Sequence, residues 1–369
     1  MKKICILTSV HPVFDARIFY KEAKTLSSAG YDVSLIAQHN KKETVENIKI
    51  IPLPKPKNRF ERFLKTDYLL YKKALQQKAD VYHFHDPELL PWMIMLKKKM
   101  QTKIIYDVHE DVPCQILNKH WLPRIIRGFI AKIVGSTEWL SAKIFDAILP
   151  ATTKIANRFP TIKTTVIHNF PIITDFSINS IPYFERPLSF VYAGGIAKIR
   201  GIMEAIQALS LLNDVPQKKL ELAGPFDHKK FFETLKSLPG WTLVNYYGTI
   251  PEKQVNLLLG KVRAGLVLHQ PVPNEIDALP IKLFQYMAAG LPIIASNFPA
   301  WKKIINKANC GLLVDPLDTK AISKAMRWIL KNPEEAKIMG QRGRRAIELN
   351  YNWENESKKL LEIYEKLLK

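Results

Sequence analysis

Lys282 falls where a helix start leads into a buried strand, within the run Ala278-Leu279-Pro280-Ile281-Lys282-Leu283 that continues to Ser296. Pro280 suits the first turn of a helix, because its fixed φ is helical and its missing N–H would be unpaired there. Gly290 ends that helix, Pro292 stops its continuation, and Leu291 to Ala295 is an apolar run fit for a buried parallel strand. A helix start that carries a lysine offers an anion unpaired N–H groups, the positive end of the dipole and a full charge. Together these make a phosphate seat. The plainer alternative is a crossover whose lysine is solvated.

A second candidate is Tyr192-Ala193-Gly194-Gly195-Ile196-Ala197-Lys198-Ile199-Arg200-Gly201, which follows an apolar run and opens an amphipathic helix. Its glycines let the backbone approach a ligand, while Lys198 and Arg200 can neutralise a diphosphate. In the first half, His83-Phe84-His85-Asp86-Pro87-Glu88 and Tyr106-Asp107-Val108-His109-Glu110-Asp111 follow strand-like runs, where side chains meet ligands. His83 and His85 equally suit the capping of a strand. The histidines and acids lack a compact ligand spacing, so no metal is expected. Ahead of the first helix Asp15 can act as a cap, and Arg17 either reaches substrate or pairs with Asp15 or Glu22.

These segments resemble those of the family 4, group 1 glycosyltransferases, which have the GT-B architecture and retain the configuration of the sugar they transfer. The Lys282 segment is similar to the family's donor site, where a carboxylate, seven residues and a glutamate hold a nucleotide sugar. In this chain the frame runs from Asp277 to Gln285, so the second acid is an amide that can still accept a hydrogen bond from ribose. The resemblance implies donor contacts for Gly194, Gly195, Lys198, Arg200, Asp277, Leu279, Lys282 and Gln285. By the family's glycine loop, Gly195 stands where an arginine is usual and Arg200 where a lysine is usual, with Lys198 as the substitute cation. The family's strand-end histidine, which contacts the transferred sugar, corresponds to His109. His85, Asp15 and Arg17 are acceptor-side candidates, and the Asp15-x-Arg17 turn matches a subgroup of the family. The implied donor is a UDP or GDP sugar with no metal cofactor, and the implied acceptor is a hydroxyl on a lipid-linked or growing glycan of capsule, O-antigen or exopolysaccharide type. Because Asp277, Gly195 and Gln285 replace stronger ligands, a degenerate nucleotide-sugar-binding protein is one alternative, and an epimerase of the same architecture another.

The elements that must position these residues follow from patterning. Short apolar runs alternate with helical periodicity along the chain, the signature of parallel sheets wrapped by helices. Strands are expected at 3–8, 32–37, 81–84, 103–106, 147–149 and 165–167, then at 189–192, 219–222, 242–244, 265–268, 292–295 and 311–314. The proline-rich stretch 169–187 reads as a linker. The expected organisation is therefore α/β: two Rossmann-like doubly wound domains facing a cleft, 1–175 on the acceptor side and 176–352 on the donor side. A last helix, 353–369, is expected to cross back to the first domain.

At 369 residues and 47% hydrophobic content the chain is globular and large enough for two cores. Its three cysteines, Cys5, Cys114 and Cys310, lie far apart and suggest neither a disulfide framework nor a metal site. A formal net charge of +21, shared between both halves, predicts attraction to polyanions. Nucleic acid is not the expected partner, since neither zinc-finger spacing nor an aromatic RNA-binding pattern is present. Across 120–134, Trp121, Ile125, Phe129 and Ile133 recur every four residues, with Arg124 and Arg127 on the opposite side. Such a helix either packs on the core of the first domain or lies on an anionic membrane with Trp121 at its rim. Without an apolar run of the ~18 residues needed to span a bilayer, the expected location is cytoplasmic, peripheral at the inner face of the cell membrane.

Overall fold

The computed structural model describes residues 1–117, 123–176 and 181–369. Two compact units form: Met1–Asn169 together with Trp353–Lys369, and Phe170–Asn352.

The first unit is built on β1 (Lys3–Pro12), β2 (Asp32–Gln38), β3 (Glu43–Val45), β4 (Ile48–Leu53), β5 (Val81–Phe84), β6 (Lys103–Val108) and β7 (Ala147–Pro150), in the order β3-β4-β2-β1-β5-β6-β7. Every neighbouring pair is parallel except β3 with β4. The middle of β1, Ile4 to Ser9, is buried throughout, and its first four residues, Ile4 to Leu7, form the unbroken apolar run. The β3–β4 hairpin escapes sequence reading because its strands are short. Its signal was the two-residue turn Glu46-Asn47, where both residues take positive φ, 49° and 63°, as a tight hairpin requires.

The stretch expected as a strand at 165–167 forms none. It follows a helical turn at Thr161–Lys163 and gives β7 only short edge pairing, Thr165 N–H to Ile148 O and Ile167 N–H to Pro150 O. The helix Trp353–Leu368 belongs to this first unit. Its Tyr364 hydroxyl meets His83 Nδ1 at 2.9 Å, and Trp353 Nε1 donates to Thr25 Oγ1 at 2.9 Å.

The second unit carries β8 (Ser189–Ala193), β9 (Lys219–Ala223), β10 (Val244–Tyr246), β11 (Ala264–Val267), β12 (Ile293–Ser296) and β13 (Gly311–Val314), all parallel, in the order β10-β9-β8-β11-β12-β13. Two apolar clusters cover the faces of this sheet. One is centred on the helix Ile202–Ser210 and the other on Ile281–Ala288. Strand β10 starts later than expected, because Pro239–Leu243 winds into a helical turn. The stretch 169–187 is no free linker either: Phe170, Phe176 and Tyr183 are buried in the second unit's core, and their aromatic bulk outweighs the intervening prolines.

Candidate functional site

In the second unit the chain leaves β8 through Gly194 at φ +135°, where a Cβ would stand 2.9 Å from Lys282 Nζ. The positive φ is what calls for glycine here, and it brings the backbone close to that ammonium. Lys282 lies in the first turn of the Ile281–Ala288 helix, entered from Pro280. Its Nζ lies 4.6 Å from the centre of the Tyr192 ring and donates to the Tyr192 hydroxyl at 3.2 Å, while that hydroxyl donates to Gly195 O at 2.7 Å. Burial, aided by the charge of Arg200, pushes the Lys282 pKa down to about 7. Gly201, at φ +70°, turns the chain into the next helix where a Cβ would strike Leu268 O at 1.9 Å.

Arg200 is fixed by groups outside the sequence frame. Its Nη1 donates to Glu275 Oε2 at 2.8 Å, and the same oxygen accepts from His269 Nδ1 at 2.6 Å. Burial holds the His269 pKa down at about 4, although Glu275 opposes it. Burial works to raise the Glu275 pKa, but the His269 hydrogen bond and the charges of Arg200 and Lys282 outweigh it and keep the carboxyl below its ordinary value. The inward acid is therefore Glu275, in the short helix Pro273–Ile276, whereas Asp277 lies exposed just past its end. Asp277, the acid of the expected frame, thus lies at the surface, and the acid that meets Arg200 is Glu275. Leu279 packs against the core, Gln285 is half-buried on the Lys282 helix, and Gly195 and Lys198 are exposed. Glu275, His269 and Tyr192 were missed, although His269 carries the signal that singled out His83 and His85, a histidine just beyond an apolar strand.

In the first unit, residues from three strand ends meet. Arg17, in the segment after β1, is buried; its Nε donates to Glu22 Oε1 at 2.7 Å, its Nη2 to Asp107 Oδ2 at 2.7 Å and its Nη1 to Ile167 O at 2.9 Å. Its guanidinium therefore pairs inward, with Glu22 and not with Asp15. Asp15 is a cap, its Oδ1 accepting from Arg17 N–H at 2.8 Å and Ile18 N–H at 3.0 Å. His109 Nε2 stands 2.7 Å from Asp107 Oδ1 and 3.0 Å from His85 Nδ1, and it is the member of this group that retains some exposure. Burial opposes ionisation of Asp107, yet the charges of Arg17 and His109 hold its carboxyl well below the usual range. Burial, followed by the Asp107 charge, pushes Glu22 well above it. His85 is driven well below the ordinary histidine value by burial and then by His109.

Glu22, His85, Asp107 and His109 each offer a ligand atom within 4.8 Å of the others, a grouping that spacing along the chain does not reveal. Arg17 pairs with both acids at 2.7 Å; its single charge balances the ionised Asp107, while burial favours the neutral form of Glu22. What the arrangement can do is hold one histidine, His109, by a buried ion-pair network at a strand end.

Trp121 lies outside the described residues. Of its companions, Arg124 is exposed, and Arg127 Nη1 turns back to Leu117 O at 2.9 Å. The helix Arg124–Ile144 does not bury the expected stripe in the core. Ile125, Phe129 and Ile133 are exposed, because its inward face is made by Ala131, Glu138, Ser141 and Ala142.

Residues 174–346 match the family model described as "Glycosyl transferases group 1", and residues 16–170 match "Glycosyltransferase Family 4". Among curated relatives, the MMP alpha-(1->4)-mannosyltransferase of Mycolicibacterium hassiacum is 22% identical over 79% of this chain and 72% of its own. The glycogen synthase of Mycobacterium tuberculosis is 20% identical over 78% of this chain and 69% of its own. Among solved structures, sucrose-phosphate synthase from Thermosynechococcus elongatus covers 100% of this chain and 99% of its own, with TM-score 0.79 and 17% identity. Anabaena HepE, solved in complex with UDP and glucose, covers 99% of this chain and 100% of its own, with TM-score 0.75 and 11% identity. At these identities the structural likenesses establish the fold, which is GT-B.

Proposed function

Since the chain belongs to the group 1 glycosyltransferases of family 4 and is a nucleotide-sugar-dependent transferase, we propose that it moves a sugar from a UDP or GDP donor to an acceptor hydroxyl with retention of configuration. The observation that carries this reading is the approach of Lys282 to Gly194, with Arg200 held beside it by Glu275. Two cations, a helix start and a close-running backbone suit a diphosphate. As the bond between the sugar C1 and the phosphate oxygen breaks, negative charge grows on the leaving diphosphate, and Lys282 and Arg200 stabilise it there. The acceptor oxygen forms the new bond to C1 on the same face, and its proton passes to an oxygen of the departing phosphate. His109 orients the transferred sugar, Gln285 and Leu279 flank the nucleoside, and Lys198 and Gly195 border the diphosphate.

The acceptor in this reading is a lipid-linked or polysaccharide chain of capsule, O-antigen or exopolysaccharide type, met at the inner face of the cell membrane. Support comes from the exposed apolar ridge of Arg124–Ile144 and a net charge of +21. A screen of UDP and GDP sugars that follows nucleoside diphosphate release, with and without an amphiphilic glycan acceptor, tests it. Release from one donor that rises with acceptor is expected, and release from none contradicts it.

A further inference from the structure

Two apolar groups at one edge of the first unit's sheet lie uncovered. After β4, Asn58 caps a turn by accepting from Glu61 N–H at 2.9 Å, and the chain winds through Arg59–Glu61 and Arg62–Thr66 into the helix Asp67–Gln77. Phe60, Phe63 and Leu64 are all exposed along this arm. The second group opens the Arg124–Ile144 helix. Relative exposure is 80% for Phe60, 75% for Leu64, 89% for Ile125 and 67% for Phe129, the reverse of what such side chains do when a fold can bury them.

Both groups belong to the carboxyl edge, where His109 stands. Arg62 in the arm pairs with Glu88, whose Oε1 accepts from Ser9 Oγ at 3.2 Å, and Ser9 N–H donates to Asp86 Oδ2 at 2.7 Å. Asp86 is 3.6 Å from His11, whose ring centre lies 5.8 Å from that of His109. The Arg124–Ile144 helix packs against the helix Val112–Leu117, which follows the His109 end of β6: Arg127 Nη1 donates to Leu117 O at 2.9 Å, and a Cβ on Gly135 would lie 3.5 Å from Pro113.

Charge identifies the occupant. Lys57, Arg59 and Lys65 are exposed around the arm, and its one acid, Glu61, accepts from Lys57 N–H at 2.7 Å. No acidic residue occurs between 123 and 137, and Glu138 is buried against Arg158 and Tyr106. An apolar surface set in cations complements an anionic bilayer, whereas a second copy of a chain of charge +21 would meet it with like charge.

We propose that the carboxyl edge of the first unit's sheet is its membrane-facing end, held on an anionic bilayer at two points, the Phe60–Leu64 arm and the start of the Arg124–Ile144 helix. This rests on the membrane-acceptor reading above and adds an orientation to it. One interfacial helix can roll about its axis, but two separated contacts fix the edge that carries His109 toward the lipid, and their linkage multiplies affinity.

The test is flotation of the full chain with phosphatidylcholine vesicles, with and without phosphatidylglycerol, for four proteins: wild type, Phe60→Glu/Leu64→Glu, Ile125→Glu/Phe129→Glu and Ile162→Glu. Ile162 is 91% exposed in the same unit but lies at the opposite edge, before the segment that pairs alongside β7. Each double variant should lose vesicle partitioning by about tenfold or more, as expected when one of two linked contacts goes. Ile162→Glu should bind vesicles like wild type, and all four should keep the same melting temperature and affinity for their nucleoside diphosphate. Wild-type binding that either double variant leaves unchanged, or that Ile162→Glu weakens equally, would overturn the two-point orientation while sparing the membrane reading. No wild-type binding to either vesicle would remove both. Loss of a concentration-dependent dimer in the variants, in place of vesicle binding, would assign the surface to self-association and overturn the proposal.

Discussion

Gly194 and Lys282 are 88 positions apart in the chain, yet a Cβ on residue 194 would lie 2.9 Å from the lysine nitrogen. The loop after β8 and the start of the Ile281–Ala288 helix thus converge on one point. An anion there meets a helix N-terminus, a glycine backbone and an ammonium at once.

The acid that positions this site should be Glu275 and not Asp277. Glu275→Gln keeps the shape but removes the charge shared by Arg200 and His269, a charged hydrogen bond that contributes roughly 1.5–3 kcal/mol. Donor affinity should therefore fall about tenfold or more by titration calorimetry, while Asp277→Asn, at an exposed position, changes it less. The reverse ranking would restore the Asp277 frame.

Donor binding should weaken as the solution turns alkaline. The Lys282 pKa is about 7 in the free protein, so the ammonium is lost above neutrality just where a bound diphosphate favours it. Binding above pH 7 must then take up a proton, and affinity should drop by up to roughly tenfold per pH unit at the limit. Calorimetry at pH 8 in buffers of different ionisation enthalpy should report that uptake in wild type and none in Lys282→Met. Equal proton uptake in both would place the titration on another group.

Asp107 should be a stability residue as well as a partner of His109. Asp107→Asn leaves Arg17 buried with one acidic partner fewer, a loss of about 3–5 kcal/mol for a broken buried pair. The folded-state pKa of Asp107 is depressed, so its contribution is fully present above the unfolded carboxylate pKa and is lost as pH falls through the folded value. Urea unfolding at neutral and acid pH should show the gap between variant and wild type closing toward acid. A gap that widens toward acid would contradict this.

The parallel strands were legible because their burial on both faces writes unbroken apolar runs, as in Ile4 to Leu7 and Ile293 to Ala295. Lys282 was legible because Pro280 marks a helix start locally. Glu275 was not, since its inward position depends on the one-turn helix Pro273–Ile276 that ends just before Asp277. The meeting of Arg17, Glu22, His85, Asp107 and His109 was equally hidden: each sits near a strand end, but strand order alone brings β1, β5 and β6 side by side. The exposed ridge of Arg124–Ile144 shows the converse limit, since periodicity reports an apolar face without saying what covers it.

The central claim is that Lys282 and Arg200 grip the donor diphosphate, and calorimetric titration of UDP and GDP into wild type and Lys282→Ala tests it most directly. One of the two nucleotides should bind wild type, and Lys282→Ala should weaken it by roughly 1.5–3 kcal/mol, about ten- to a hundredfold, at an unchanged melting temperature. A dissociation constant that Lys282→Ala leaves unchanged would contradict the account.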